Sequence, residues 1–229
     1  MERSFDMGGE FMIKRFEDIG VTAYLPEEDF SVALWTFMHG DEAENVISLL
    51  NEPKPAVFCV EVDWNRELSP WQAKAVFGDE DFSGGADDFI KKLVKIIIPA
   101  VEKSLNITNC KRIIAGYSLA GLFSVYAFYK TDVFDMGASV SGSLWFDGFI
   151  EFMKNTKIKK LPEKMYFSVG SREKKTKNIR MATVEDRTKE AEKIFCDYGS
   201  ETVFELNAGG HFNNVPERIA IGINCLTAK

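Results

Sequence analysis

Ile113-Ile114-Ala115-Gly116-Tyr117-Ser118-Leu119-Ala120-Gly121 runs from an apolar stretch into a Gly-x-Ser-x-small turn and out into a second apolar run. A serine on such a strand-turn-helix corner is lifted above the sheet edge, and small residues two positions to either side let the backbone bend that sharply. The pattern makes Ser118 a candidate nucleophile. A serine hydroxyl is a weak nucleophile at neutral pH, so the chain must also supply a base, a group to orient that base, and donors for an oxyanion.

Outward from this corner, short β-rich runs alternate with longer helical patterns, the signature of an α/β sheet with crossover helices. Residues 21–25, 32–38 and 56–62 read as early strands, 111–115 as the strand beneath Ser118, and 136–140, 164–169 and 202–206 as later ones. The stretch 87–105 puts Phe89, Ile90, Leu93, Val94, Ile97, Ile98 and Val101 at helical spacing, with Pro99 expected to kink or break it. In 184–198, Ala191, Ile194, Phe195 and Tyr198 share one helical face and Gly199 follows as a cap.

The 229 residues, 45% hydrophobic and without a compositional break, are expected to form one domain, 1–229, around one core. A net charge of −7, with basic residues mixed among acidic ones, offers no electrostatic footprint for nucleic acid or an anionic membrane; a small-molecule ligand fits better. The basic clusters around Lys157 to Lys160 and Arg172 to Lys177 read as solvated surface. The start lacks an apolar signal region and no apolar run approaches membrane-spanning length, so the expected location is the cytoplasm. Cys59, Cys110, Cys196 and Cys225 lack metal-ligand spacing and read as reduced, buried thiols. With only His39 and His211, no metal site and no cofactor are expected.

His211 stands in Asn207-Ala208-Gly209-Gly210-His211-Phe212, immediately after the last strand, where open α/β sheets build their ligand sites. It is the candidate base; His39 is disfavoured because it precedes the serine. For the chain order Ser, acid, His, the acid falls between them. Glu173, just beyond strand 164–169, is the first candidate, and Asp147, after the preceding strand, the second. One oxyanion donor is the N–H of Leu119. The other belongs to the loop after an early strand, where Met38-His39-Gly40-Asp41 offers the Asp41 N–H or the Gly40 N–H. The loop from Asp63 to Trp71 carries Trp64, Arg66 and Trp71; these tryptophans either cover the core edge or line a pocket.

Taken together, the elbow around Ser118, the His39-Gly40 turn, the 65–71 loop, Ser141-Gly142-Ser143-Leu144-Trp145 and Gly210-His211-Phe212 resemble the esterase D / enterochelin-esterase-like branch of the α/β-hydrolases, from about Val21 onward. Between the Ser118 strand and Glu173 there is no insertion long enough to be a lid domain, and the resemblance implies a single-domain α/β-hydrolase fold with a mostly parallel sheet. It also implies a serine esterase with its acid after the strand preceding the histidine loop, which favours Glu173. Ala120 departs from the glycine usual at that point of the family's elbow. The expected activity is hydrolysis of a carboxylic ester through an acyl-enzyme, with short-acyl, aryl or carbohydrate-linked esters as the implied substrates and Trp64, Arg66, Trp71, Trp145 and Phe212 as candidate pocket walls. An acyltransferase using the same triad, a peptidase of related fold and a non-catalytic binding module are the alternatives.

Overall fold

The computed structural model describes residues 2–6, 11–76 and 78–228. In chain order the strands are β1 (Glu2–Asp6), β2 (Phe11–Phe16), β3 (Val21–Pro26), β4 (Val32–Thr36), β5 (Ala56–Val60), β6 (Gln72–Ala73), β7 (Phe82–Ser83), β8 (Lys111–Tyr117), β9 (Met136–Val140), β10 (Lys164–Gly170) and β11 (Glu201–Asn207). The helices are α1 (Gly40–Ser48), α2 (Trp64–Glu67), α3 (Ala86–Lys92), α4 (Ile98–Ser104), α5 (Leu119–Lys130), α6 (Phe149–Asn155), α7 (Val184–Tyr198) and α8 (Val215–Thr227). β6 and β7 form a small ribbon; the other strands make one sheet in the order β1-β2-β3-β5-β4-β8-β9-β10-β11.

From β5 to β11 every pairing is parallel, whereas β1, β2 and β3 add on antiparallel to one another and to β5. The inner parallel strands β4, β5, β8, β9 and β10 are largely buried on both faces, because crossover helices cover them, and their side chains alternate between two cores, while β11 at the edge is mostly half-buried. Leu34, Val57, Ile113 and Ala115 face the side covered by α1 and α8. Trp35, Phe58 and Ile114 face the side covered by α3, α4, α5 and α7. Strand order reverses at β4: β5 lies to one side and β8 to the other, and such a switch point opens a crevice at the carboxyl ends of the strands. No separate lid domain interrupts the sheet among the described residues. No helix among them is long and apolar enough to cross a membrane.

Several expectations are corrected. The sheet begins before Val21: β1 and β2 precede it, and in β2 Phe11, Ile13 and Phe16 point inward while Met12 is exposed. The strand expected over 32–38 ends at Thr36, and that over 56–62 ends at Val60. Pro99 does not break the helix it sits in. A π-helical turn, Leu93–Ile97, takes up the register change, and Pro99 falls in the first turn of α4, where a missing N–H costs no hydrogen bond. On α7 the buried face is Val184, Glu185, Thr188, Ala191 and Phe195, while Tyr198 is exposed. Of the four free thiols only Cys59 is buried; Cys196, beside Phe195, points to solvent because its neighbour takes the core position.

Candidate functional site

Ser118 sits between β8 and α5 with φ 55° and ψ −121°, a conformation that is strained for a residue with a side chain and is retained where the surroundings over-determine it. Its N–H bonds to Val140 O at 3.1 Å, and its carbonyl accepts from Leu122 and Ser143 N–H at 3.1 and 2.9 Å. The turn is tight enough that a Cβ on Gly116 would run into the backbone of Ala120. Ala120 itself fits, buried with its methyl in the main core, so the departure from glycine leaves the corner intact.

The acid loop and the histidine loop leave neighbouring strands, β10 and β11, and are bonded to each other: Ser171 N–H to Asn207 O at 2.8 Å and Arg172 N–H to Gly209 O at 2.9 Å. A Cβ on Gly170 would sit 2.7 Å from Gly209 O and 2.8 Å from Glu173 Oε1, so this close approach requires glycine. Within the histidine loop, Asn213 Oδ1 accepts the Gly210 N–H at 2.8 Å and closes a side-chain turn.

These loops bring three side chains into a line. Ser118 Oγ lies 3.1 Å from His211 Nε2, and His211 Nδ1 lies 2.7 Å from Glu173 Oε2. Glu173, 5% exposed, turns Oε1 away from the histidine toward the Gly170 N–H at 2.6 Å, the Ser141 hydroxyl at 2.8 Å and Arg218 Nη2 at 2.9 Å. Burial is the largest single influence on this carboxyl and opposes its ionisation. The hydrogen bonds from His211, Arg218 and Gly170 together outweigh it and hold the pKa down at about 2. Glu173 is therefore an anion throughout the neutral range.

Asp147, the other acid considered, is held elsewhere. Its carboxylate takes a bidentate contact from Arg180, Nε to Oδ1 at 3.0 Å and Nη2 to Oδ2 at 2.9 Å, and it is 58% exposed. Leu119 begins α5, and Gly40 and Asp41 begin α1, so their N–H groups are among those that no helix can satisfy internally. Since β4 neighbours β8, the α1 start stands one strand from Ser118. His39 caps α1 without a side-chain cap bond, and Trp64 Nε1 approaches its ring at 3.5 Å.

The structure separates the other expected wall residues. Trp71 packs on Phe146, Phe149 and Phe152 and donates to Asp147 O at 3.0 Å, so it covers the core edge. Trp145 is buried beneath the Arg180 guanidinium, 5.4 Å from its centre. Arg66 reaches solvent beside Asp63 and Glu67. Phe212 is 79% exposed and meets the His211 ring edge-on at 5.0 Å.

Three residues beside the site were not among those singled out from sequence as candidate site residues. Ser143 Oγ, buried, stands 3.4 Å from Ser118 Oγ. Ser141 joins Glu173 as above, at φ 46°. Arg218 comes from the first turn of α8. The two serines follow β9 in a Ser-Gly-Ser turn, a signal visible in the sequence; nothing local marks Arg218.

No family model matches the chain. A 138-residue stretch is 28% identical to the uncharacterized protein YbbA of Bacillus subtilis, covering 58% of this chain and 55% of that one, so the match spans about half the length of this curated relative. Among solved structures, the chain is similar to the siderophore hydrolase EstA from Aspergillus nidulans (TM-score 0.69, 15% identity, 100% of this chain and 94% of that one). It is also similar to an IroE-like serine hydrolase from Shewanella oneidensis (0.73, 16%, 99% and 79%) and to the enterobactin hydrolase IroE (0.68, 18%, 100% and 95%). The chain has the α/β-hydrolase fold.

Proposed function

We propose that this chain is a serine hydrolase of carboxylic esters, working through an acyl-enzyme with Ser118 as nucleophile, His211 as base and then acid, and Glu173 as the orienting carboxylate. The observation that carries the reading is the unbroken line of contacts from Ser118 Oγ to His211 to Glu173, at 3.1 and 2.7 Å, on a strained strand-to-helix corner. The fold shared with enzymes named as siderophore and enterobactin hydrolases supports the same class.

In this reading Glu173 accepts the His211 Nδ1–H, which leaves Nε2 free to take the Ser118 proton as Oγ bonds to the ester carbonyl carbon. The oxyanion that develops faces the N–H of Leu119 and that of Asp41 or Gly40, and removing one such donor typically costs about a hundred- to a thousand-fold in rate. His211 returns the proton to the departing alcohol as the C–O bond breaks. Water then attacks the acyl-enzyme, giving a proton to His211, which passes it to Ser118 Oγ as the acyl C–Oγ bond breaks and the carboxylic acid leaves. Trp64 and Phe212, at the rim, are the side chains we expect an acyl or alcohol group to meet.

The test is an ester panel from short to long acyl chains, with aryl and siderophore esters included, run beside Ser118→Ala. Wild-type turnover should fall by about a million-fold in the variant, and a serine-reactive phosphonate should add once, on Ser118. Labelling at another serine, or turnover undiminished in Ser118→Ala, refutes the mechanism.

A further inference from the structure

Arg218 is 2% exposed, yet it is a permanent cation, and burying one costs several kcal/mol unless charge and hydrogen bonds compensate. Here the compensation is complete. Nε donates to Asn207 Oδ1 at 3.1 Å; Nη1 donates to Tyr117 Oη at 3.2 Å and Gly210 O at 3.1 Å; Nη2 donates to Glu173 Oε1 at 2.9 Å and to Ser141 Oγ. All five N–H donors of the guanidinium are used.

The partners are not scattered. Tyr117 ends β8, Ser141 follows β9, Glu173 follows β10 and Asn207 ends β11, so one side chain joins the carboxyl ends of four adjacent strands. Three of these carry, on the same ends, Ser118, Glu173 and the His211 loop. Tyr117 continues the chain: its hydroxyl accepts from Arg218 and donates to the His211 carbonyl. The guanidinium thus touches the acid directly, the histidine's backbone through one hydroxyl, and the loop before it through Gly210 O. Exchanging the whole buried pair for packed apolar side chains can be nearly neutral, but removing Arg218 alone leaves the buried Glu173 carboxylate without its cation. An apolar side chain could not hold Glu173 Oε1 so that Oε2 faces Nδ1.

We propose that Arg218 is a positioning residue for the triad: it sets the rotation of the Glu173 carboxylate against the His211 loop, and acts on the reaction through that carboxylate. The proposal rests on the triad reading above. It treats the α8 start as part of the site although nothing on α8 touches a reacting atom.

The experiment compares Arg218→Met, Arg218→Lys and Glu173→Gln, the double variant Glu173→Gln with Arg218→Met, and a control, Arg112→Met, whose guanidinium pairs with Glu102 near the opposite end of β8. Arg218→Met should lose about a hundred-fold in kcat with KM within about three-fold. Arg218→Lys, which keeps the charge but has at most three donors, should recover about ten-fold of that loss. Because Arg218 acts through Glu173, the double variant should be no more than about three-fold worse than Glu173→Gln alone. Multiplying losses in the double variant, or near wild-type kcat in a folded Arg218→Met, overturns the proposal.

A second readout needs no substrate. The His211 Nδ1–H proton, hydrogen-bonded to a carboxylate, should give a far-downfield NMR resonance that His211→Ala removes. It should persist in Arg112→Met, and shift or broaden in Arg218→Lys, which also serves should the methionine variant not fold. An unchanged resonance in Arg218→Lys and Arg218→Met refutes the positioning role. Failure of every ester with this resonance behaving as expected would instead refute the proposed activity and leave Arg218's role standing.

Discussion

Replacing Glu173 by glutamine keeps the shape of the side chain and changes which tautomer of His211 the site stabilises. Oε1 now accepts three donors, from Gly170 N–H, Ser141 and Arg218, and Oε2 accepts one, from His211. The amide has one oxygen and one NH₂, so it must choose. If the NH₂ faced the three donors, three hydrogen bonds would be lost, two of them from a cation and a buried N–H; at about 1.5 kcal/mol or more each, this arrangement is several kcal/mol the worse. The oxygen therefore stays where Oε1 is, and the NH₂ faces Nδ1. Nδ1 must then accept, which puts the ring proton on Nε2, pointing at Ser118 Oγ and unable to receive its proton. Reaching the productive tautomer means breaking that bond and setting two donors face to face, on the order of 3–5 kcal/mol, and 1.36 kcal/mol is a factor of ten in rate. We expect kcat to fall by about 10²- to 10⁴-fold with KM little changed, measured on one good ester with thermal unfolding as the folding control. Asp147→Asn, whose carboxylate serves Arg180, is measured alongside and should stay near wild type. If Glu173→Gln keeps more than a third of wild-type kcat, or Asp147→Asn is the crippled one, the acid assignment is wrong.

Acid stability follows from the same carboxylate. With its pKa lowered to about 2 in the fold and near 4.3 when unfolded, Glu173 adds stability, on the order of 3 kcal/mol, that is fully present above the unfolded value and lost as pH falls toward 2. Melting curves should therefore drop more steeply between about pH 4.5 and 2 in the wild type than in Glu173→Gln; parallel curves would mean the burial of Glu173 is not compensated as described. Ser143→Ala removes a hydroxyl 3.4 Å from Ser118 Oγ; the loss of one neutral hydrogen bond predicts a fall of about two- to ten-fold in kcat, and a loss of a thousand-fold would place Ser143 among the reacting groups. Gly116→Ala drives a methyl into the backbone of Ala120 and should destabilise the protein by about 1–3 kcal/mol in urea unfolding while lowering activity by displacing Ser118; an unchanged midpoint would show that the elbow yields more easily than its packing implies.

Much of this molecule is legible in local sequence. The turn at Ser118 is a matter of small residues at fixed offsets, and the alternation of Leu34 with Trp35, or Ile113 with Ile114, follows from the two-residue period of a strand covered on both faces. The helical period likewise marks α3 and α7, and glycines after a final strand mark the His211 loop. The antiparallel strands β1 and β2 are less visible because β2 mixes exposed Met12 and Arg15 with buried Phe11, Ile13 and Phe16 rather than running continuously apolar, and their partners are set by register along the chain. Which carboxylate meets His211 was open in the sequence, since Glu173 and Asp147 both follow strands of the same sheet. Tertiary structure separates them: the β10 and β11 loops are bonded to each other, which carries Glu173 to the imidazole, while Arg180, from a distant segment, draws Asp147 to the Trp145 side. Arg218 lies furthest from sequence reasoning. Its five acceptors come from residues 117, 141, 173, 207 and 210, and only a parallel sheet that aligns the ends of β8 to β11 brings them to one guanidinium. Periodicity reports what a residue does for its own element; a buried charge is compensated by whichever partners the completed fold places around it.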